Sequence, residues 1–154
     1  MNRQIFKHFA GVASIAAVAF AAAPVAAQET VSLDSEVQVE KQVEDQTVYV
    51  APEQVFPGDR LKFVSRYSNA GSETVEDFVI TNPLPAAVAL AADGEFLVSV
   101  DKGANFAPLA SLTVAEADGS QRAAMPADVT HVRWVLAEIA PGSAGEVWFL
   151  AQVK

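Results

Sequence analysis

The sequence predicts an all-β fold, an antiparallel β-sandwich of about seven short strands. Apolar and polar residues alternate at a period of two along several segments, and pairs rich in Pro, Gly, Asn and Asp separate these segments. Residues 57–85 are the clearest case, because Pro57-Gly58 opens a turn into an alternating segment and Asn69-Ala70-Gly71 closes it. Alternation interrupted by such turns is typical of an antiparallel meander.

The first 27 residues are predicted to be a signal peptide. Arg3 and Lys7 precede an apolar, alanine-rich run at residues 9–23, and Val25-Ala26-Ala27 supplies the small residues that a signal peptidase recognises. The run is shorter than the roughly 20 residues that a membrane-spanning helix needs. We therefore expect cleavage after Ala27, a periplasmic or secreted product, and no membrane insertion after cleavage.

The mature chain is expected to begin with a flexible lead and to continue as one domain. Residues 28–36 are polar and acidic, so they form the expected lead, and the domain is assigned to residues 37–154. Val37-Gln38-Val39 alternates in the way an edge strand does. Val48-Tyr49-Val50 is expected to continue the chain in extended form as far as Pro52.

Two strands are predicted between the Pro57-Gly58 turn and the next prolines, at residues 60–68 and 74–81. The turn between them is expected to use Asn69 and Gly71 because these residues tolerate a positive φ. Asn82-Pro83-Leu84-Pro85 is expected to leave the sheet, since proline has no N–H to donate to a ladder.

The second half of the chain continues the pattern after one ambiguous segment. Residues 86–92 are alanine-rich but too short and too close to prolines to nucleate a helix, so we expect a crossing loop or a short strand. Further strands are predicted at residues 96–100, 112–115, 132–136 and 146–153, and residues 112–115 are expected to pair back on the strand before them. In the last strand Phe149 should face inward and Trp148 outward.

The motifs Pro57-Gly58-Asp59, Tyr67-Ser68-Asn69-Ala70-Gly71 and Asn82-Pro83-Leu84-Pro85 follow one another in a recognisable order, and SVDKGANF, DVTHVRWVL and APGSAGEVWFLAQV come after them. This order resembles the DUF11 domain of bacterial cell-envelope proteins over residues 37–154. The resemblance implies an immunoglobulin-like β-sandwich, generally without catalytic activity. Asn82 departs from the family, where Asp is usual. Only one copy is present, which favours an adaptor or subunit over a spacer.

Residues 99–106 carry a second motif, because Ser99, Asp101, Gly103 and Asn105-Phe106 have the spacing of an Asp-box. The resemblance implies a structural hairpin in which the aspartate accepts hydrogen bonds from backbone N–H groups and the glycine has a positive φ. The residues expected to have structural roles in turns are therefore Pro57, Gly58, Asn69, Gly71, Pro85, Asp101 and Gly103.

Composition excludes several classes of partner. The chain has 19 Asp and Glu against 10 Lys and Arg, a formal net charge of −9, which disfavours nucleic acid and anionic membrane surfaces. It has no cysteine, so neither a disulfide framework nor a thiol nucleophile is available.

The sequence predicts no enzyme, no cofactor and no metal. It contains none of the phosphate-binding, dinucleotide-binding, hydrolase or metalloprotease motifs. Beyond the signal segment it has one histidine, His131, which alternation places on an exposed strand face with Arg133. Calcium is the remaining alternative, but the turn aspartates do not form a loop that gathers enough oxygens, and such aspartates usually bond their own backbone.

Two residues are candidates for a binding surface. Trp148 and Arg133 belong to the residue types that dominate hot spots, although adjacent aromatic residues in a strand also supply core. We expect an exported, non-catalytic interaction module of the cell envelope, whose partner is an unknown envelope protein or a second copy. The alternative is a glycan-binding module or an accessory subunit of a secreted enzyme.

Overall fold

A computed structural model describes residues 31–154 and confirms an all-β antiparallel sandwich. The predicted signal peptide and residues 28–30 of the expected lead lie outside the described residues. No helix among residues 31–154 is long and apolar enough to cross a membrane. The strands are β1 (Val31–Val43), β2 (Gln46–Val50), β3 (Arg60–Asn69), β4 (Val75–Pro83), β5 (Val88–Leu90), β6 (Leu97–Ser99), β7 (Thr113–Ala115), β8 (Gln121–Ala123), β9 (His131–Ile139) and β10 (Ala144–Val153).

Two sheets form the sandwich and a hairpin lies beside them. One sheet has the order β2-β1-β3-β10-β5, the other has the order β4-β9-β6, and β7 pairs with β8. The pairing is nested, because β3 pairs with the last strand β10 whereas the following strand β4 pairs with the earlier β9. In an immunoglobulin constant domain the partner of the second strand precedes the partner of the third. The two-sheet sandwich agrees with the prediction, whereas its nested strand order differs from that of an immunoglobulin constant domain.

The core lies between the two sheets and has aromatic rings at its centre. Phe149 of β10 is stacked on Phe63 of β3 with ring centroids 4.8 Å apart, and its ring lies 6.1 Å from that of Trp134 on β9. Phe149 and Trp134 are both buried, and the burial of Phe149 confirms the inward face predicted for the last strand. Buried aliphatic residues surround the rings: Val39, Leu61, Ile80, Val88, Leu90, Val98, Val129 and Val132.

Strand β1 begins earlier than the sequence predicted. Residues 31–36, which we expected in a flexible lead, pair with β3 from Val31 opposite Asn69 to Glu36 opposite Val64. Backbone pairing with β3 and the bond between the Ser35 and Ser65 hydroxyls hold this polar segment in the sheet, so the boundary at residue 37 was wrong. The described chain enters at Val31, beside Asn69, and β10 ends at the other end of β3, where Gln152 lies opposite Arg60.

A hairpin interrupts the segment that was expected to stay extended as far as Pro52. Glu44 and Asp45 both have a positive φ, 49° and 66°, and they reverse the chain so that β2 pairs with the end of β1. Two successive positive φ values are the mark of a type I′ turn. The prediction missed this turn because Glu-Asp lacks the Asn-Gly or Asp-Gly signature.

The prolines after β4 remain partly in the sheet, contrary to the prediction that residues 82–85 leave it. Asn82 pairs with Val132 and Pro83 with His131. β4 is an edge strand, so a proline at its end removes no ladder hydrogen bond. Pro85 begins the next turn, in which the Val88 N–H donates to the Pro85 carbonyl oxygen at 3.0 Å and leads into the short strand β5.

The turns around β3 use different devices. Gly58 has a φ of 95°, and the Asp59 N–H donates to the Phe56 carbonyl oxygen at 3.0 Å, which confirms the Pro57-Gly58 turn. The turn at Asn69 and Gly71 lies where the sequence predicted it, but neither residue has a positive φ. The buried Asn69 side chain organises this turn through hydrogen bonds, one of them accepted from the Gly71 N–H.

Residues 99–106 form the predicted hairpin. The Asp101 carboxylate accepts hydrogen bonds from the Ser99 hydroxyl (2.6 Å) and the Asn105 N–H (2.9 Å), and Gly103 has a φ of 87°. The following segment departs from expectation, because residues 113–115 pair with β8 and not with the strand before them. The stretch between them is too irregular to bring β7 back to β6, and only Ala107 bridges Val98.

Candidate functional site

His131 lies in a structural cluster on the outer face of the three-stranded sheet. Its Nδ1 is 3.1 Å from the Thr130 hydroxyl oxygen, and its ring packs edge-on to Phe106 with centroids 6.4 Å apart. It shares this face with Arg133, as predicted, but it is half-buried and not exposed. Among residues 31–154 no three His, Cys, Asp or Glu side chains form a group that could hold a metal ion.

Arg133, one of the two predicted binding residues, is held by neighbours in the same cluster. Its guanidinium carbon lies 3.5 Å from the centre of the Phe106 ring, and its Nε donates to the Thr81 hydroxyl oxygen at 2.9 Å. A stacked and hydrogen-bonded arginine supports the loop that carries Phe106. Its role in this structure is to attach that loop to β4 and β9.

Trp148, the other predicted binding residue, lies on the outer face of the five-stranded sheet with 47 % of its surface exposed. The Lys62 ammonium nitrogen is 4.9 Å from the centre of its ring and 5.2 Å from the centre of the Tyr49 ring. Lys62 therefore sits between two aromatic rings, a cation–π arrangement that fixes the orientation of Trp148.

The structure does not bring Trp148 and Arg133 together. Trp148 points away from the core on β10, next to the inward-facing Phe149, whereas Arg133 points away from the core on β9, next to the inward-facing Trp134. Because β10 and β9 belong to different sheets, the two candidates lie on opposite faces of the sandwich. They cannot form one contact surface.

Ion pairs neutralise the outer face that carries Trp148. Bases on β3 lie between acids on β1 and β10: Arg66 is 2.8 Å from Glu36 and 3.5 Å from Glu146, and Lys62 is 3.9 Å from Glu146. The hydrogen bond from Arg66 holds the pKa of the Glu36 carboxyl below its usual value. Opposite charges in register across neighbouring strands give this face little net charge.

The edge of β10 beside Trp148 is open for half of its length. β5 pairs only with Ala151–Val153, and the last backbone contact on this side is the Ala91 N–H donating to the Leu150 carbonyl oxygen at 2.8 Å. Alternate residues of a strand direct their N–H and C=O groups to the same side, so Trp148 and Glu146 direct theirs to this side as well. No strand within residues 31–154 pairs with them there.

The edge of β9 is open on the same side of the sandwich. β6 pairs with β9 only as far as Arg133, opposite Leu97. Val98 exchanges its backbone hydrogen bonds with Ala107, so the backbone groups of its neighbours Leu97 and Ser99 point toward β9. The β9 residues opposite them have odd numbers, so the odd-numbered residues of β9 direct their backbone groups to this side. Val135 and Ala137 thus present their backbone groups to an edge that no described strand covers.

A cleft of about 500 Å³ lies along these two open edges. Consecutive residues of β9 and of β10 line it, so it follows the strand edges and is not confined to one face of a sheet. The loop at residues 91–96 forms its third wall, where the Phe96 ring packs edge-on to Trp134 with centroids 5.7 Å apart. Its lining residues are Ala92, Asp93, Gly94, Glu95, Phe96, Trp134, Val135, Leu136, Glu146, Val147, Trp148, Phe149 and Leu150.

Aromatic side chains line part of the cleft, and acidic side chains lie at its rim. Three of its lining residues, Asp93, Glu95 and Glu146, are acidic, and none is Lys or Arg. Glu146 is paired with Arg66 and Lys62, whereas Asp93 and Glu95 make no ion pair with any residue from 31 to 154. This edge therefore carries unneutralised negative charge next to exposed aromatic surface.

Sequence reasoning identified Trp148 but missed the cleft around it. The missing signal is the difference in length between paired strands, because β5 and β6 have three residues each whereas β10 has 10 and β9 has nine. Strand pairing cannot be read from one sequence, so an open edge is not visible there. The acidic residues Asp93 and Glu95 were the one local feature of the sequence that could have pointed to the cleft.

Comparison with protein-family models, curated proteins and solved structures finds no significant match to this chain.

Proposed function

We propose that this protein is an exported, non-catalytic interaction module that binds a protein partner at the cleft along β9 and β10. The observation that carries the proposal is the combination of unpaired backbone groups, exposed apolar surface and negative charge at one edge of the sandwich. Open strand edges are usually shortened, charged or covered because they promote pairing with other chains. An edge that keeps its aromatic residues is accordingly a candidate binding surface.

The predicted signal peptide and the resemblance to DUF11 domains support a place in the cell envelope. The negative charge of the chain disfavours nucleic acid as the partner. The hydroxyls of Ser99 and Thr130 lie beside an acid and a base, and both are engaged: Ser99 donates to the Asp101 carboxylate, and Thr130, next to His131, donates to the Ser99 carbonyl oxygen. An adaptor or subunit role is consistent with all of these features.

Site-specific photocrosslinking in envelope extract tests this function. A photo-reactive amino acid at position 92, an exposed residue of the cleft, should give a discrete protein adduct that is lost when Trp148→Ala is added. The matched control is the same group at position 43, because Val43 is 52 % exposed beside the β1–β2 turn, at the opposite edge of the five-stranded sheet. Equal adducts at both positions, or an adduct unaffected by Trp148→Ala in a folded protein, would contradict the proposal.

A glycan is the second candidate ligand, and the half-exposed ring of Trp148 is the observation that favours it. Aromatic rings fixed at the surface can stack on sugar rings, and Lys62 fixes this one. Affinity electrophoresis against a panel of polysaccharides distinguishes the two candidates. Retardation that disappears in Trp148→Ala would favour the glycan, and unchanged mobility in every gel would favour the protein partner.

A further inference from the structure

We infer that the cleft binds an extended peptide of a partner protein as an additional strand on the open edge of β10, and that this peptide carries basic residues beside alternating apolar ones. The inference rests on the proposed function and specifies its mode of binding. It assigns the backbone of Glu146 and Trp148 as the pairing groups, the Phe96 ring as the apolar contact, and Asp93 and Glu95 as the charges that select the partner.

The backbone geometry favours a strand over any other ligand shape. Glu146 and Trp148 each offer one N–H and one C=O toward the cleft, which is the repeat that an added strand needs. The stretch from Glu146 to Leu150 is five residues long, about 17 Å at the usual rise of a strand. An added strand would lie on the same edge of β10 as β5 and would extend the five-stranded sheet from where β5 ends.

The side chains around the edge specify what that strand must carry. Successive residues of an added strand would point alternately between the sheets and outward. Those pointing between the sheets would lie against the partly exposed Phe96 ring, which packs on the buried Trp134, so apolar side chains fit there. Those pointing outward would lie beside Trp148 and the acidic rim, which suits apolar stems that end in a positive charge.

Charge also distinguishes this occupant from a second copy of the chain. The protein has a formal net charge of −9, and the cleft contains three acids and no base, so two copies would bring like charges together. A basic segment of a different protein would bring opposite charge to Asp93 and Glu95. The expected binding is therefore stronger at low ionic strength.

Amide hydrogen exchange of the purified protein, followed by NMR, tests strand addition directly. The probe is a nine-residue peptide with valine and leucine alternating with threonine between terminal lysines. At saturation the Glu146 and Trp148 amides should exchange at least about tenfold more slowly, because they gain hydrogen-bond acceptors. Methylating one alternate set of the peptide's backbone nitrogens should abolish this protection, and methylating the other set should not, since only one set faces β10.

Charge selection is tested with the same readout. A peptide with glutamates in place of the lysines should bind at least about tenfold more weakly, and Glu95→Lys should reverse that preference. Glu44→Lys is the matched control, because Glu44 lies in the β1–β2 hairpin at the opposite edge of the five-stranded sheet. Binding that ignores these charges would overturn the assignment of Asp93 and Glu95.

Three outcomes would overturn strand addition. One is peptide binding that leaves the exchange of both amides unchanged. Another is slow exchange of both amides in the free protein. If the exchange is slow at all protein concentrations, another segment of the same chain covers the edge. If it is slow only at high concentration, a second copy covers it. The last is an adduct at position 92 that depends on Trp148, together with no protection of the Glu146 and Trp148 amides by any peptide. That result would overturn strand addition but would still support the proposed function. Absence of both the adduct and the protection would remove both proposals.

Discussion

Asn69 shows how one buried polar side chain can join two sheets. Its Nδ2 donates to the carbonyl oxygens of Glu73 at 2.8 Å and Ile139 at 2.9 Å, so the end of β3 is bonded to the end of β9 in the other sheet. Its backbone also bonds Ser143 and Gly142 in the turn before β10. The sequence located this turn correctly but assigned its conformation to positive φ, because hydrogen bonds to residues 70 positions away cannot be read locally.

Replacing this side chain should be costly. Asn69→Ala would remove the partner of the buried Ile139 carbonyl and of the part-buried Glu73 carbonyl and Gly71 N–H, so we expect a loss of about 3 kcal/mol in the free energy of unfolding. Urea denaturation followed by circular dichroism measures the loss. Ser72→Ala, an exposed change in the same turn, should stay within about 0.5 kcal/mol. A loss below about 1 kcal/mol for Asn69→Ala would contradict the role given to it.

Asp101 should make stability depend on pH. Its carboxylate accepts hydrogen bonds from the Ser99 hydroxyl, which has the largest effect, and from the backbone N–H and side-chain amide of Asn105. These bonds hold the pKa of Asp101 well below its usual value. A carboxyl whose pKa is lowered by folding stabilises the protein above its unfolded pKa of about 3.8 and loses this effect as the pH falls toward its folded pKa. The melting temperatures of the parent and of Asp101→Asn should therefore differ more at pH 7 than at pH 2.5.

Asp93→Asn is the matched control for Asp101→Asn, because Asp93 is exposed on a nearby loop. Its melting temperature should follow that of the parent at both pH values. If the gap between the parent and Asp101→Asn is the same at pH 7 and pH 2.5, the ionised carboxylate does not stabilise the hairpin.

Among the elements, the strands that follow Pro-Gly turns were predicted well, whereas two hairpins were missed. β3 and β10 follow Pro57-Gly58 and Pro141-Gly142, and both agree with prediction within two residues. The β1–β2 hairpin turns on Glu44 and Asp45, which carry no such signal. The partner of β7 was also missed although Asp118-Gly119 marks the turn between them, because residues 121–123 are too short and polar to stand out as a strand.

The Glu44-Asp45 turn offers a stabilising change. Non-glycine residues pay a conformational cost at positive φ, and Asn-Gly relieves this cost at both positions. The double variant Glu44→Asn with Asp45→Gly should gain about 1 kcal/mol in the free energy of unfolding, measured by urea denaturation. Glu44→Gln removes the charge but keeps the conformational cost, so it should change stability little. An equal gain in Glu44→Gln would show that charge, and not φ, limits this hairpin.

At the scale of the whole molecule, the sandwich could be predicted but its strand order and its open edge could not. Alternation reports which residues face the core, and Trp134 and Phe149 do so. It does not report which strand lies beside which, and the cleft exists because β5 and β6 stop before β10 and β9 do. A cleft that exists because the neighbouring strands are short gives almost no local signal in the sequence.

The two sheets should unfold together, because Trp134 and Phe149 pack across a single core. In the variant Trp148→Phe, the remaining Trp134 reports the core, and its fluorescence should change at the same urea concentration as the far-ultraviolet circular dichroism. In the reciprocal variant Trp134→Phe, Trp148 should report a transition at lower urea, since a buried ring has been reduced in size. Separate midpoints for the two signals within Trp148→Phe would show that the sheets unfold independently.

The path of the chain through the five-stranded sheet bears on how the molecule would respond to tension. β1 and β10 run in the same direction on either side of β3, and the described chain enters beside Asn69 and leaves beside Arg60, at opposite ends of that strand. A pull on the two ends would therefore load the hydrogen bonds of both ladders at once, sideways along the strands. Bonds loaded together in shear must break together, whereas bonds peeled from one end break singly. Resistance to such a pull should therefore come from the two ladders that flank β3.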